Sequence, residues 1–259
     1  MKIVVTGGTG RIGSKVVARL RSEGHDVVAA APSTGVDILS GEGVAAAMAG
    51  ARIVIDLANS PSFDDGPAMD FFRTAGRNLL TAEVQAGVGH HIALSVVNTD
   101  KLQASGYFRA KALQEQLIRD SGIPFTIIHS TQFFEFLPSI IQSGAQGDKV
   151  FLPPALVQPI ASEDVAEAVA HLSLQAPANG VVEIAGPERE PMAGLAQRFM
   201  NATEDPREVV ADREARYYGL ILENESLVPA KPAWKGALDF ERWLEQSEFA
   251  GYEHAQDTH

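Results

Sequence analysis

Through its first 130 residues the chain alternates short apolar runs, bounded by turn formers, with stretches whose apolar residues recur at helical spacing. The runs predict strands at about 2–6, 26–31, 52–57, 90–96 and 124–129, and the periodic stretches predict helices near 11–23, 43–49, 69–87 and 107–121. In the first helix Ile12, Val16, Val17 and Leu20 gather on one face. Each helical stretch is long enough for a crossover connection, so the strands read as one parallel sheet. Gly24, Gly50, Gly87 and Gly122 stand where C-terminal caps belong. After residue 130 the alternation loosens into a helix at 133–144, short strands at 149–152 and 158–161, a helix at 162–174 capped by Ser162, and a strand at 181–185. Beyond residue 186 a Pro- and charge-rich mixture carries helical patterns near 191–202 and 239–246. The pattern predicts an α/β protein with a doubly wound parallel sheet over residues 1–185 and a small C-terminal lobe over 186–259. The last eight residues, with His254 and His259, read as a mobile tail.

The first strand runs directly into Gly7-Gly8-Thr9-Gly10-Arg11-Ile12-Gly13. Gly8, Gly10 and Gly13 fit G-x-G-x-x-G, and Gly7, Gly10 and Gly13 fit the G-x-x-G-x-x-G variant. Either spacing leaves backbone without side chains where a pyrophosphate must come close. The helix that opens near Arg11 adds unpaired N–H groups and the positive end of its dipole. Gly7, Thr9, Gly10, Arg11, Ile12 and Gly13 are therefore the expected phosphate cradle of a dinucleotide.

Ser95 ends the fourth predicted strand, Tyr107 follows at a helix start, and Lys111 lies one turn further along the same face. An ammonium near a phenol favours its ionised form and can also reach a ribose hydroxyl, while a serine at a strand end can hold a carbonyl. A phenol so placed can pass a proton to a carbonyl oxygen as hydride reaches the carbon. The helix opens at the carboxyl end of a strand, where open parallel sheets hold their ligands.

Composition narrows the alternatives. Cysteine is absent, which excludes disulfides, thiol catalysis and thiolate metal sites and suits a reducing cytosol. His90 and His91 have no matching carboxylate or histidine at metal-ligand spacing, so no metal is expected. The 33 Asp and Glu against 21 Lys and Arg give a formal charge of −12, spread along the chain, which leaves no basic footprint for nucleic acid. No apolar run reaches membrane-spanning length, and the N-terminus opens on a strand in place of a signal sequence. The expectation is a cytoplasmic protein, monomer or homodimer, that acts on a small molecule without nucleic acid or membrane as a partner.

Thr6–Gly13, Asp37-Ile38, Asp56-Leu57-Ala58-Asn59, Ser95 and Tyr107-Phe108-Arg109-Ala110-Lys111 together resemble the short-chain dehydrogenase/reductase superfamily, whose fold is Rossmann-like. Gly122–Ile128, Ser130–Phe134, and Pro159-Ile160 leading to Asp164-Val165-Ala166 are similar to its atypical, NmrA-like NAD(P)-binding branch. The resemblance covers roughly residues 1–190. It implies that Gly7, Gly10 and Gly13 lie against the pyrophosphate, Asp37 and Ile38 near the adenine, and Ala58 and Asn59 along the adenosine ribose and phosphates. Ser95, Tyr107 and Lys111 become the catalytic set, and the Ser130-Thr131-Gln132-Phe133 loop faces the nicotinamide. Many members of the branch lose the Tyr or the Lys and act as cofactor-sensing regulators, so their retention here leans towards catalysis. The stretch after residue 185 is shorter than in a sugar-nucleotide epimerase, which counts against epimerisation.

An acid after the second strand would bind the ribose 2′-OH and repel a 2′-phosphate, and Ala29–Gly35 contains none. NADP(H) is therefore expected over NAD(H), with Ser33 and Thr34 as donors to the phosphate and Arg11 adding charge-assisted bonds. The implied activity is hydride transfer to or from a small carbonyl or quinone-like substrate; the alternative is a non-catalytic NAD(P)-sensing regulator. Phe133, Phe134 and Phe136 read as packing, Phe63 as either a cover for the cofactor or a loop anchor, and Asp164 as a residue that caps or orients its helix.

Overall fold

The structure, a computed structural model, describes residues 1–250; the expected tail with His254 and His259 lies outside the described residues. In chain order the elements are β1 (Lys2–Thr6), α1 (Arg11–Ser22), β2 (Asp26–Ala30), α2 (Val44–Met48), β3 (Ile53–Asp56), α3 (Asp65–Ala86), β4 (His90–Val96), α4 (Gly106–Asp120), β5 (Phe125–Ser130), α5 (Leu137–Ser143), β6 (Ala145–Gln146), β7 (Lys149–Leu152), β8 (Leu156–Val157), α6 (Ser162–Ser173), β9 (Gly180–Ala185), β10 (Glu190–Pro191), α7 (Met192–Ala202), β11 (Glu208–Ala211), β12 (Trp234–Lys235) and α8 (Phe240–Gln246). Short 3-10 turns at Pro32–Thr34 and Phe134–Phe136 complete the described set. The seven-stranded sheet has the order β12-β9-β5-β4-β3-β1-β2, parallel and helix-flanked, a Rossmann-like α/β fold.

The chain divides into two compact units, Met1–Ser130 with Val165–Glu183, and Thr131–Asp164 with Ile184 onward. The inner strands β1 and β3 are buried on both faces, which is why they read as apolar runs and not as alternating ones. Val4, Val54, Ala93 and Ile127, from four neighbouring strands, pack with Leu79 and Leu80 of α3 and Ile118 of α4. The expected face of α1, Ile12, Val16, Val17 and Leu20, is buried. Gly24, Gly50, Gly87 and Gly122 all have positive φ, the left-handed geometry of C-terminal caps. Helix α3 begins at Asp65, four residues before the expected start, because Pro67 in a first turn has no i−4 acceptor to lose. The strand order changes direction between β1 and β3, a switch point that opens a crevice at their carboxyl ends.

The second unit departs further from expectation. The strand expected at 158–161 is instead Leu156–Val157, followed by one bridge from Ile160 to Phe133; Pro159 has no N–H to continue a ladder. The Glu135 carboxylate accepts from the N–H of Ser162, the first residue of α6, at 3.1 and 3.3 Å. Asp164 accepts from the Leu238 N–H at 2.9 Å and so anchors the approach to α8. Strands β11 and β12 were not anticipated: β11 lies parallel to β7, and β12 parallel to the end of β9. The core of this unit includes an aromatic cluster, with Phe134 stacked on Trp243 at 5.2 Å between ring centres and Phe199 at 6.2 Å from the same indole.

Candidate active site

The glycines after β1 serve different masters. Gly7 has φ +65°, and a Cβ there would lie 2.8 Å from the Leu57 carbonyl oxygen. A Cβ at Gly8 would meet the Val5 oxygen at 2.7 Å, and one at Gly13 would sit 2.1 Å from the Gly7 oxygen. The protein's own packing demands these three. Gly10 is exposed, and a Cβ there would meet only the Gly7 oxygen, at 3.2 Å. It caps α1 with no side-chain hydrogen bond, and no acid occupies the first turn. The opening N–H groups of α1 have no intrahelical acceptor, so this turn is a cradle that a pyrophosphate fits. Thr9 and Arg11 are exposed beside it, while the Ile12 side chain turns into the core and leaves only its backbone for a ligand.

After β2 no acid precedes Val36. Ser33 is exposed. The Thr34 hydroxyl accepts from the Ala31 N–H at 3.0 Å and lies 2.8 Å from the Ala29 carbonyl, so it already holds the turn together. Asp37 accepts from the Leu39 N–H at 2.8 Å, and that bond holds its carboxyl below the usual carboxylate range. Ile38 packs against the core and its carbonyl accepts from Asn78 at 2.9 Å. Both 37 and 38 thus have local structural work, whatever they do for an adenine.

At the opening of α4 the Tyr107 hydroxyl donates to Asn59 Oδ1 at 3.0 Å. Its ring rests on Phe63 at 4.9 Å and Phe72 at 6.2 Å, and burial pushes the phenol up to about 12 against the Asn59 bond. Lys111 is buried one turn on, its ammonium 4.7 Å from the centre of the Phe72 ring. It donates to the Leu94 carbonyl at 2.8 Å and to Gln114 Oε1 at 2.5 Å. Gln114 donates in turn to Asp56 at 2.8 Å, and Asp56 accepts from Thr6 at 2.6 Å and from the Ala58 N–H at 3.2 Å. Burial brings the Lys111 ammonium down to about 8 against the pull of Asp56 and Glu115. The helix ends are locked nearby: a Cβ at Gly106 would lie 1.6 Å from Asp65 Oδ1, and Arg109 pairs with that carboxylate at 2.5 Å.

Tyr107 and Lys111 therefore meet on Phe72, joined by Asn59 and Ala58 at the carboxyl end of β3. Ser95 does not join their hydrogen bonds. It lies on the face of β4 that α4 covers, and its hydroxyl donates to Glu115 at 2.6 Å. His129 at 2.8 Å and Arg119 at 3.0 Å hold the same carboxylate. Burial alone would raise Glu115, but bonds from His129, Ser95 and Arg119 bring it down to about 2. Ser130 closes β5 in the first unit, its carbonyl accepting from Val97 at 2.9 Å. Thr131 and Phe133 belong to the second unit: Thr131 donates to the Gln158 carbonyl at 2.6 Å, and the Phe133 ring stacks on Phe136 at 5.4 Å. Histidines 90 and 91 are inside β4; His91 has the carboxylate partner that spacing did not reveal, Glu83 at 2.9 Å, and His90 bonds Thr126 at 2.9 Å. Sequence reasoning missed Gln114, Glu115 and Phe72; Gln114 at i+3 from Lys111 was the available signal.

A doubly wound parallel sheet with a glycine cradle at its switch point defines a dinucleotide-binding protein. The chain belongs to the NAD(P)H-binding family, whose profile matches residues 7–175. It is 29% identical to the (4-alkanoyl-5-oxo-2,5-dihydrofuran-3-yl)methyl phosphate reductase of Streptomyces griseus over 221 residues, 75% of this chain and 73% of that protein. It is 26% identical to the photosystem II assembly factor Ycf39 of Cyanophora paradoxa over 151 residues, 53% of this chain and 47% of that protein, so it spans about half of that relative's length. A short-chain dehydrogenase/reductase superfamily protein from Agrobacterium tumefaciens, solved with NAD, superposes with a TM-score of 0.71 at 19% identity, covering 95% of both chains. The fold is that of this superfamily. No described helix is long and apolar enough to cross a membrane.

Proposed function

We propose that this protein is an oxidoreductase that binds NADP(H) in preference to NAD(H) and moves a hydride to or from a small carbonyl or quinone-like molecule. The observation that carries the reading is the Tyr107 phenol, its proton directed at Asn59 and its ring on Phe72 beside the Lys111 ammonium, in the unit that bears the glycine cradle. A bound nicotinamide supplies or accepts the hydride. Gly10 and the first turn of α1 bind the pyrophosphate, and Arg11 and Ser33 recognise a 2′-phosphate. Tyr107 gives its proton to the carbonyl oxygen as the carbon is reduced, with Asn59 positioning the hydroxyl. A phenol pushed up to about 12 stays protonated at neutral pH, which suits reduction of a carbonyl better than oxidation of an alcohol. Ser95 is left a structural part, since its hydroxyl is committed to Glu115. The Streptomyces relative carries the name of a reductase, which supports the same class.

The test is consumption of NADPH over a panel of ketones, aldehydes, enones and quinones. Turnover with at least one class supports the reading. Ser95 standing apart from Tyr107 and Lys111, together with the assembly-factor name of the Ycf39 relative, favours a second reading, an NAD(P)-sensing regulatory protein. Tight NADPH binding without turnover on any member of the panel selects that one.

A further inference from the structure

One chain of buried hydrogen bonds ties the ends of β1 and β3 and the carboxyl half of β4 to α4, all within the first unit. Thr6, the last residue of β1, donates from its hydroxyl to Asp56 Oδ1 at 2.6 Å. Asp56, the last residue of β3, accepts on the same oxygen from the Ala58 N–H at 3.2 Å and on Oδ2 from Gln114 Nε2 at 2.8 Å. Gln114 Oε1 accepts from Lys111 Nζ at 2.5 Å, and Lys111 gives a second bond to the Leu94 carbonyl at 2.8 Å. An ammonium has three N–H groups; two go to these oxygens, and the Phe72 ring covers a further side at 4.7 Å. Lys111 is 3% exposed, so a ribose has no open approach to it. A buried cation requires an anion. Glu115 is bound by Ser95, His129 and Arg119, and Asp56 reaches the ammonium through the Gln114 amide. The far end of the chain is the glycine cradle. Gly7 follows Thr6, and a Cβ there would lie 2.8 Å from the oxygen of Leu57, the residue after Asp56. The Gly7 carbonyl in turn accepts from the Gly10 N–H at 2.9 Å.

We propose that Lys111 and Gln114 are positioning residues for the dinucleotide cradle: they hold the Asp56 carboxylate, and Asp56 holds the glycine turn and the Ala58-Asn59 segment in the geometry a nucleotide needs. Lys111 is then not the ribose ligand that its spacing from Tyr107 suggests. The choice of ligand rests on the NADP(H) reading above; the choice of residues rests on the hydrogen-bond chain. The chain makes a specific demand, that its amide and its carboxylate can trade places. In the double variant Asp56→Asn with Gln114→Glu, the side-chain oxygen at 56 still accepts from Thr6 and Ala58. Its amide donates to the carboxylate at 114, and that carboxylate accepts from Lys111. Every bond and the net charge are kept. Gln114→Glu alone sets two carboxylates face to face, and Asp56→Asn alone sets amide donor against amide donor or turns an amide nitrogen on the ammonium.

Calorimetry on wild type, the two single variants, the double variant and Lys111→Met measures the Kd of NADPH and of 2′-phospho-ADP, which keeps the pyrophosphate and lacks the nicotinamide and its ribose. Each single variant and Lys111→Met should weaken both nucleotides by the same factor, about tenfold or more, and the double variant should return both to within about threefold of wild type. Folded single variants that keep both affinities, whatever their Tm, overturn the proposal, because the chain then serves the fold alone. A double variant that binds no better than the singles overturns it as well. So does a Lys111→Met that loses about tenfold or more on NADPH and nothing on 2′-phospho-ADP, the signature of a ribose ligand. If the single variants do not fold, Thr6→Val, which removes only the hydroxyl at the cradle end of the chain, is read by the same criteria: loss on both nucleotides supports the proposal, and unchanged affinity overturns it. Wild type that binds neither nucleotide overturns the cofactor reading and this inference with it. Wild type that binds NADPH and turns over nothing in the panel overturns the oxidoreductase reading alone.

Discussion

Two alanine substitutions in one turn, Gly13→Ala and Gly10→Ala, have opposite expected outcomes. At Gly13 the new Cβ would lie 2.1 Å from the Gly7 oxygen and 2.8 Å from the Gly8 Cα, both backbone atoms that cannot rotate away. Restoring ordinary contact requires the start of α1 to move off the turn by more than an ångström. Overpacking of this kind costs about 3 kcal/mol, at the upper end of the usual range. In a domain of this size that is a fall in Tm of roughly 6–12 °C. At Gly10 the backbone has φ −78° and ψ 179°, which alanine adopts freely, and the one close atom is 3.2 Å away. Loss of a glycine cap and gain of a stiffer unfolded chain nearly cancel, each about 0.5–1 kcal/mol. The Tm of Gly10→Ala should therefore stay within about 2 °C of wild type. Its methyl group nevertheless stands where a pyrophosphate must approach, so the Kd for NADPH should rise by at least about tenfold, or 1.4 kcal/mol. Thermal melts and calorimetry on the two variants separate the fold requirement from the ligand requirement. Unchanged NADPH affinity in folded Gly10→Ala, or a Gly13→Ala as stable as wild type, would show that the turn has been misread.

Tyr107→Phe keeps the ring on Phe72 and removes the transferable proton, so steady-state assays should show turnover down by about 10²-fold or more with NADPH affinity nearly intact. Full turnover in that variant refutes the tyrosine as proton donor without touching the oxidoreductase class. Ala31→Asp places a carboxylate after β2 and should turn the cofactor preference towards NAD(H); tighter NAD(H) binding already in wild type would end the argument from the missing acid. Glu115 falls from its ordinary 4.5 to about 2 on folding, so its bonds to His129, Ser95 and Arg119 stabilise the protein fully above about pH 4.5 and are lost as pH falls towards 2. Glu115→Gln should therefore be less stable than wild type near neutral pH by about 3 kcal/mol, and denaturant melts should show that gap closing across the window; a gap independent of pH speaks against the carboxylate as the source.

Much of the first unit was legible because its signals are local. A run such as Lys2–Thr6 declares a buried strand, and the apolar face of Arg11–Ser22 declares a helix, without knowledge of any partner. The C-terminal glycines were readable for the same reason, since a positive φ is a property of one residue. The second unit resisted because its elements are two to four residues long and stabilised from elsewhere: β11 needs β7, and β12 needs β9. Pro159 showed why an apolar run there fails as a strand, but only once its missing N–H was set against Phe133 and Ile160.

The same division runs through the site. By itself the sequence determined the parallel α/β order, the glycine turn at the end of β1, the acid-free segment after β2, and the pairing of Tyr107 with Lys111 along one helix face, because spacing in a regular element is spacing in space. The tertiary structure decided everything that depends on which distant residue a polar group finds. It turned Ser95 to Glu115, 20 residues away, joined Asn59 to Tyr107 across 48, and tied Gln114 to Asp56 across 58. It also separated Gly10 from Gly13, identical letters in one motif, by what lies within 4 Å of each. Buried polar groups take partners wherever packing brings them, and only the fold of the whole chain sets that register.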